Sequence, residues 1–183
     1  LNNLYPPGGD SGFHAHYRDL FTIIIQPAPS TIQTAGQAPT EVPMPTAGTV
    51  GYGVIGAEPR VHRVRNGGRG AYQVIVVEVQ RARPAGDTVS SRAPQYVEIL
   101  DNARMRAWGL VLEPGQSVPA ISQGGKGVRI VVRGGLLTTT TPGFPDQTLV
   151  LQAGGFAVQK SGDIRALRNS GADTLELVEL ELK

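Results

Sequence analysis

Two stretches decide how this chain is read. Arg65-Asn66-Gly67-Gly68 precedes the run Tyr72-Gln73-Val74-Ile75-Val76-Val77-Glu78-Val79, and Arg168-Asn169-Ser170-Gly171 precedes Leu175-Glu176-Leu177-Val178-Glu179-Leu180-Glu181-Leu182. Asn66 to Glu78 is twelve residues, and so is Asn169 to Glu181. A turn and a β-prone run that recur at one spacing mark an internal repeat. A second matched pair lies earlier, Leu4-Tyr5-Pro6-Pro7-Gly8 against Val111-Leu112-Glu113-Pro114-Gly115. The Asn-x-Gly segments are expected to supply the φ > 0 positions of tight turns.

Outward from the repeat, nothing reads as helix. Short runs of Val, Ile, Leu and Thr are bounded by Gly, Pro, Asn and Asp, which is strand-and-turn composition. Strands are expected at 20–26, 49–55, 72–80, 95–100, 106–112, 128–132, 136–140, 148–151, 156–159 and 175–182. Many short strands with frequent turns predict an all-β sandwich or barrel. Residues 27–45 hold five prolines and are expected as an irregular surface loop. The stretch around Pro84-Ala85-Gly86-Asp87 reads as a linker, so the chain divides into a domain at 1–83, a linker at 84–94 and a domain at 95–183. The second copy has about two strands' worth of residues before its Pro-Gly turn. The first has only six before Pro7, so it is expected to be truncated at its N-terminus or completed by a strand from the second copy.

Composition narrows the function. There are 183 residues, 40% hydrophobic, enough for a core, and no cysteine. That excludes a disulfide scaffold, a cysteine-ligated zinc site and a thiol nucleophile. Seventeen Lys+Arg against 15 Asp+Glu, without a block of one sign, gives no nucleic-acid signature. No apolar run is long enough to span a bilayer. The first residue is Leu1, so a soluble protein, cytoplasmic or exported after loss of a leader, fits equally. No Gly-x-Ser-x-Gly elbow supports a serine triad.

The three histidines all lie in the first copy. His14 and His16 are spaced i, i+2 before a strand, so in an extended segment both project to one face, where two imidazoles can grip one metal. His62 follows 46 residues later, and Asp19 could add a carboxylate. Aligning the copies places Arg165 opposite His62, and Ala120 to Gln123 around His14 and His16. Ligand types present together in one copy and absent together in the other are what a metal site predicts. Arg18 alternates toward the histidine face and could meet a substrate carboxylate, or pair with Asp19 at the surface. Tyr52 reads as a pocket wall or a core tyrosine. Arg60, Arg63 and Arg65 read as a solvated exterior, the glutamates of 175–182 as an outward face, and Trp108 as core.

The pattern resembles the cupin superfamily, small jelly-roll β-barrels with two histidine motifs. Gly8 stands five residues before His14-Ala15-His16, as in the first motif, and Gly51, His62 and Asn66 fall in register with the second. Leu20 and Phe21 stand where the first motif has its glutamate, and Ala57 and Pro59 where the second has Pro and Gly. The resemblance implies two tandem cupin-like barrels (double-stranded β-helices), the second without the metal histidines. It implies one divalent transition metal, iron, manganese, nickel, copper or zinc, held by His14, His16 and His62 with Asp19 as the weakest ligand. It further implies an oxygenase, isomerase or lyase acting on a small organic molecule, as monomer or homodimer. The competing reading is a non-catalytic binding or structural bicupin.

Overall fold

The β-branched runs form strands throughout, and the computed structural model, which describes residues 1–80 and 91–183, contains no helix among them. The chain divides into two units, Leu1–Gln80 and Arg81–Lys183. The first has eight strands: β1 (Asn2–Tyr5), β2 (His14–His16), β3 (Leu20–Gln26), β4 (Ser30–Thr34), β5 (Thr40–Val42), β6 (Val50–Gly53), β7 (Arg60–Asn66) and β8 (Tyr72–Glu78). They make two four-stranded antiparallel sheets, ordered β1-β8-β3-β6 and β2-β7-β4-β5.

The second unit has nine strands: β9 (Tyr96–Asp101), β10 (Met105–Leu112), β11 (Ser117–Ser122), β12 (Gly127–Arg133), β13 (Gly135–Thr140), β14 (Gln147–Leu151), β15 (Phe156–Gln159), β16 (Ile164–Asn169) and β17 (Leu175–Leu182). Its sheets run β15-β12-β17-β10-β9 and β11-β16-β13-β14. Setting β9 aside, adding nine to each label of the first unit reproduces the second. The sequence repeat is therefore a repeat of topology. Tyr5 pairs with Tyr72 as Leu112 pairs with Leu175, so β1 matches only the last four residues of β10, and β9 has no counterpart. β9 pairs with β10 in its own unit. The linker at 84–94 falls mostly outside the described residues, and of its remainder Arg92 and Ala93 are buried in the second unit.

Three expectations need correction. Residues 27–45 are not an irregular loop: β4 and β5 form a hairpin, and β4 also pairs along its length with β7. The prolines permit this because all five flank the two strands, where no N–H is needed for the ladder. The Asn-x-Gly segments do not supply positive φ. That conformation occurs instead at the glycines of the Pro-Gly turns, Gly8 (73°) and Gly115 (80°). Asn66 and Asn169 are wholly buried and act through their side chains. Asn66 Nδ2 donates to the carbonyls of Tyr5, Pro6 and Gly70 at 2.8–3.1 Å, and its Oδ1 accepts from Gly68 N at 2.8 Å. Asn169 repeats this with the carbonyls of Leu112 and Asp173 and with Gly171 N. Gly68 is needed for space, since a Cβ there would lie 3.0 Å from Ala28 Cβ and Pro29 Cδ. Lastly, Glu179 and Glu181 do not face outward; both are fully buried, whereas Trp108 lies in the core as expected.

The buried amide gives a test of the fold. Asn66→Ala removes a wholly buried amide together with its hydrogen bonds to the turn on either side, so it is expected to destabilise the first unit by about 2–4 kcal/mol. Asn169→Ala should do the same to the second unit. Denaturant unfolding of each variant measures both.

Candidate functional site

β2 is only three residues long, yet its pairing places two side chains opposite a third. His14 is the cross-strand partner of His62, and His16 lies two residues on, on the same face. Ring centroids are 4.9 Å apart for His14 and His16, 4.7 Å for His14 and His62, and 5.1 Å for His16 and His62. One ligand-capable atom from each ring lies within 4.8 Å of the others. The structure thus brings together the three histidines singled out from the sequence. His16 and His62 are buried and His14 is half-buried.

Two of the rings are oriented from behind. His14 Nδ1 donates to the Gly12 carbonyl at 3.1 Å, and His16 Nδ1 faces Glu78 Oε1 at 3.3 Å. A carbonyl or carboxylate behind one ring nitrogen holds the proton there and leaves Nε2 free to bind. His16 Nε2 meets His62 Nε2 at 3.1 Å. In the protein alone His62 must then keep its proton on Nε2, which leaves its Nδ1 buried with no partner among the described residues. Two imidazole nitrogens 3.1 Å apart also fit around one ion: with bonds of about 2.0–2.1 Å they subtend roughly 100° at it. Burial, with the positive charge of Arg60 and the neighbouring His14 and His16, lowers the His62 pKa to about 4, so the ring is neutral at neutral pH.

The other sequence candidates lie elsewhere. Asp19 Oδ2 accepts from the Tyr52 hydroxyl at 2.7 Å and Oδ1 from Ile55 N at 2.9 Å; the carboxylate holds the β6 end and is not part of the histidine group. Tyr52 is therefore Asp19's partner rather than a cavity wall. Arg18 is exposed and does not line the cavity. That cavity, about 170 Å³, is bounded by the three histidines, by Leu20, Thr22 and Ile24 of β3, and by Tyr72, Val74 and Val76 of β8. Two residues were missed. Arg60 lines the cavity, on the face of β7 that it shares with His62 by alternation. Glu78 touches His16, and its match with buried Glu181 in the repeat was the available signal.

No family model and no curated protein sequence matches this chain. Solved structures do. YlbA from E. coli superposes with a TM-score of 0.68 at 11% identity, covering 100% of this chain and 75% of that one. Oxalate decarboxylase from Bacillus subtilis gives 0.65 at 11%, covering 98% and 67%. Salicylate 1,2-dioxygenase from Pseudaminobacter salicylatoxidans gives 0.63 at 12%, covering 98% and 69%. The fold is that of the cupins.

Within that fold the two units differ inside. His14, His16 and His62 correspond by strand pairing to Ile121, Gln123 and Arg165. The cross-strand pair Thr22–Val76, which walls the cavity, corresponds to Arg129–Glu179. Arg129 Nε donates to Glu179 at 2.7 Å, and Arg92 NH2 lies 3.4 Å from both Glu179 and Glu181. Arg92 also stacks over Trp108 at 4.4 Å and Tyr96 at 5.5 Å. Burial alone would raise the Glu179 pKa, but the guanidiniums of Arg129, Arg92 and Arg165 overcome it and hold the carboxyl below its ordinary range.

Glu179→Gln removes the buried charge that Arg129 and Arg165 face and leaves Arg92 only Glu181, and is expected to cost about 3–5 kcal/mol in denaturant unfolding. The pH dependence has a definite sign. A carboxyl depressed in the folded state stabilises fully above its unfolded pKa, about 4.3, and loses that contribution as pH falls through the lower folded value. The variant should lack this component of acid unfolding.

Proposed function

We propose that the first cupin unit is a metal-dependent enzyme acting on a small organic molecule, with one divalent transition metal bound by His14, His16 and His62. The observation that carries this reading is the grouping of three imidazoles, ligand atoms within 4.8 Å, on the wall of a cavity. The neighbours in fold support it: the Bacillus subtilis oxalate decarboxylase has Mn(II) centres, and the Pseudaminobacter protein is a dioxygenase. Without Asp19 the donor set is all imidazole, which suits iron, nickel, copper or zinc better than manganese. When bound, the metal supplies a Lewis acid or a centre for oxygen activation. The reaction class is oxygenase, isomerase or lyase.

The chain's own residues prepare the site. Gly12 and Glu78 keep protons on the far nitrogens of His14 and His16, so both Nε2 lone pairs face inward. The apolar side chains of β3 and β8 exclude bulk water from most of the wall. The phenols of Tyr5 and Tyr72 at the cavity stay protonated, because burial raises both. For the second unit we infer a non-catalytic role, since Ile121, Gln123 and Arg165 offer no comparable ligand set.

Elemental analysis of gently purified protein tests this. About one equivalent of a transition metal is expected in the native protein and none in the His14→Ala/His16→Ala double variant. Asp19→Ala should keep its metal while losing stability, by about 1–3 kcal/mol from the unpaired Tyr52 hydroxyl and Ile55 amide. A native protein that takes up no iron, manganese, nickel, copper or zinc would leave the non-catalytic reading.

A further inference from the structure

The charge on the cavity wall is one-sided. Among the described residues, Arg60 is the only side chain lining it that carries a fixed charge, and no carboxylate lines it. Arg60 makes no ion pair among the described residues, whereas its neighbour on the strand Arg63 pairs with Asp10 at 3.7 Å. The guanidinium sits at the rim, exposed, with NH1 3.8 Å from where a side chain on Gly53 would begin. Its position on β7 is two residues from His62 on the same face, and it lies close enough to add to the lowering of the His62 pKa. Behind it the wall is apolar, with Tyr72, Val74, Val76 and Ile24.

We propose that the ligand of the first unit is a small monoanionic carboxylate with an apolar body, and that Arg60 is the residue that selects it. This rests on the reading of the site given above and adds the substrate class. A guanidinium presents two parallel N–H donors that match a carboxylate, and charge-assisted pairs of this kind are about twice as strong as neutral hydrogen bonds. An apolar cavity of about 150 Å³ holds benzene, so 170 Å³ admits a body of one ring or a short branched chain. The carboxylate meets Arg60 at the rim while the apolar part lies against β3 and β8, which brings the atoms next to the carboxylate toward the histidines. A neutral isostere would leave the guanidinium unpaired.

Isothermal titration with acetate, butyrate, benzoate and the neutral isostere benzamide tests the proposal on native protein, Arg60→Gln and Arg60→Lys. Metal content is measured on each sample, and the titrations are repeated after chelator treatment, which removes any direct metal–carboxylate contribution. Butyrate or benzoate is expected to bind the native protein, at least tenfold more weakly to Arg60→Gln, and with intermediate affinity to Arg60→Lys, before and after chelation. Benzamide should bind weakly and equally to all three. Equal affinity of native protein and Arg60→Gln for the carboxylates overturns the proposal. So does benzamide binding as well as benzoate, or no carboxylate binding to the native protein. The metal reading fails separately, if native protein holds no metal while the Arg60 dependence persists.

Discussion

The side chain of Asn66 holds the first unit in the register on which its site depends. Its amide ties the end of β7 to the carbonyls of Tyr5 and Pro6, and its backbone N–H donates to Gly9 O at 2.8 Å. The Pro-Gly turn is thereby fixed against β7 before β2 begins. Ser11 N then donates to Val64 O, and the next partners along the ladder are His14 and His62. A slip of one residue would turn His62 to the opposite face of its sheet and end the grouping. The cluster on a three-residue strand is precise because a buried polar anchor lies four residues away on β7. Asn169 anchors the second unit in the same way, through the carbonyls of Leu112 and Asp173, so the device belongs to the fold, and the histidines are an addition to it.

Two units with one topology show what else the site requires. In the second, the cross-strand pair Arg129–Glu179 stands at the positions that Thr22 and Val76 hold on the cavity wall of the first. Once one buried glutamate is present, its charge must be matched, and Arg92 and Arg165 are drawn in with it. Such a network is costly to desolvate and adds little net stability over apolar packing, but removing any one member is expensive. The second interior is therefore resistant to piecemeal change around this network, and its cavity, about 380 Å³ beside Arg129, Val131 and Leu137, holds none of the ligand types found in the first.

Much of this was legible in the sequence, for identifiable reasons. The duplication showed because Asn66, Asn169 and the Pro-Gly turns have roles that no other residue fills. The histidines showed because a period of two puts His14 and His16 on one face whatever the surrounding fold. What failed were inferences in which a local rule met a non-local partner. Proline content made a loop of β4 and β5, although both strands pair between their prolines. Glutamates in a strand were read as solvent-facing because their arginine partners come from other elements, one of them on the stretch taken for a linker. Asp19 was proximate in sequence to the histidines but is claimed by Tyr52 and Ile55 from β6 and beyond, a pairing invisible without the sheet.

Arg60 shows how the same rule can be applied and not followed through. On β7 a period of two puts Arg63 and Arg65 on one face and Arg60 with His62 on the other. The residue was set with the exterior because three arginines in six positions look like one cluster. In the structure they separate by face: Arg63 pairs with Asp10 and stacks on Phe13 outside, while Arg60 borders a cavity with no acidic side chain among the described residues. An ion-paired arginine has its charge satisfied by the fold. One held beside an apolar cavity with no such partner has its charge available to a ligand, and the absence of acids on the wall gives that ligand its sign.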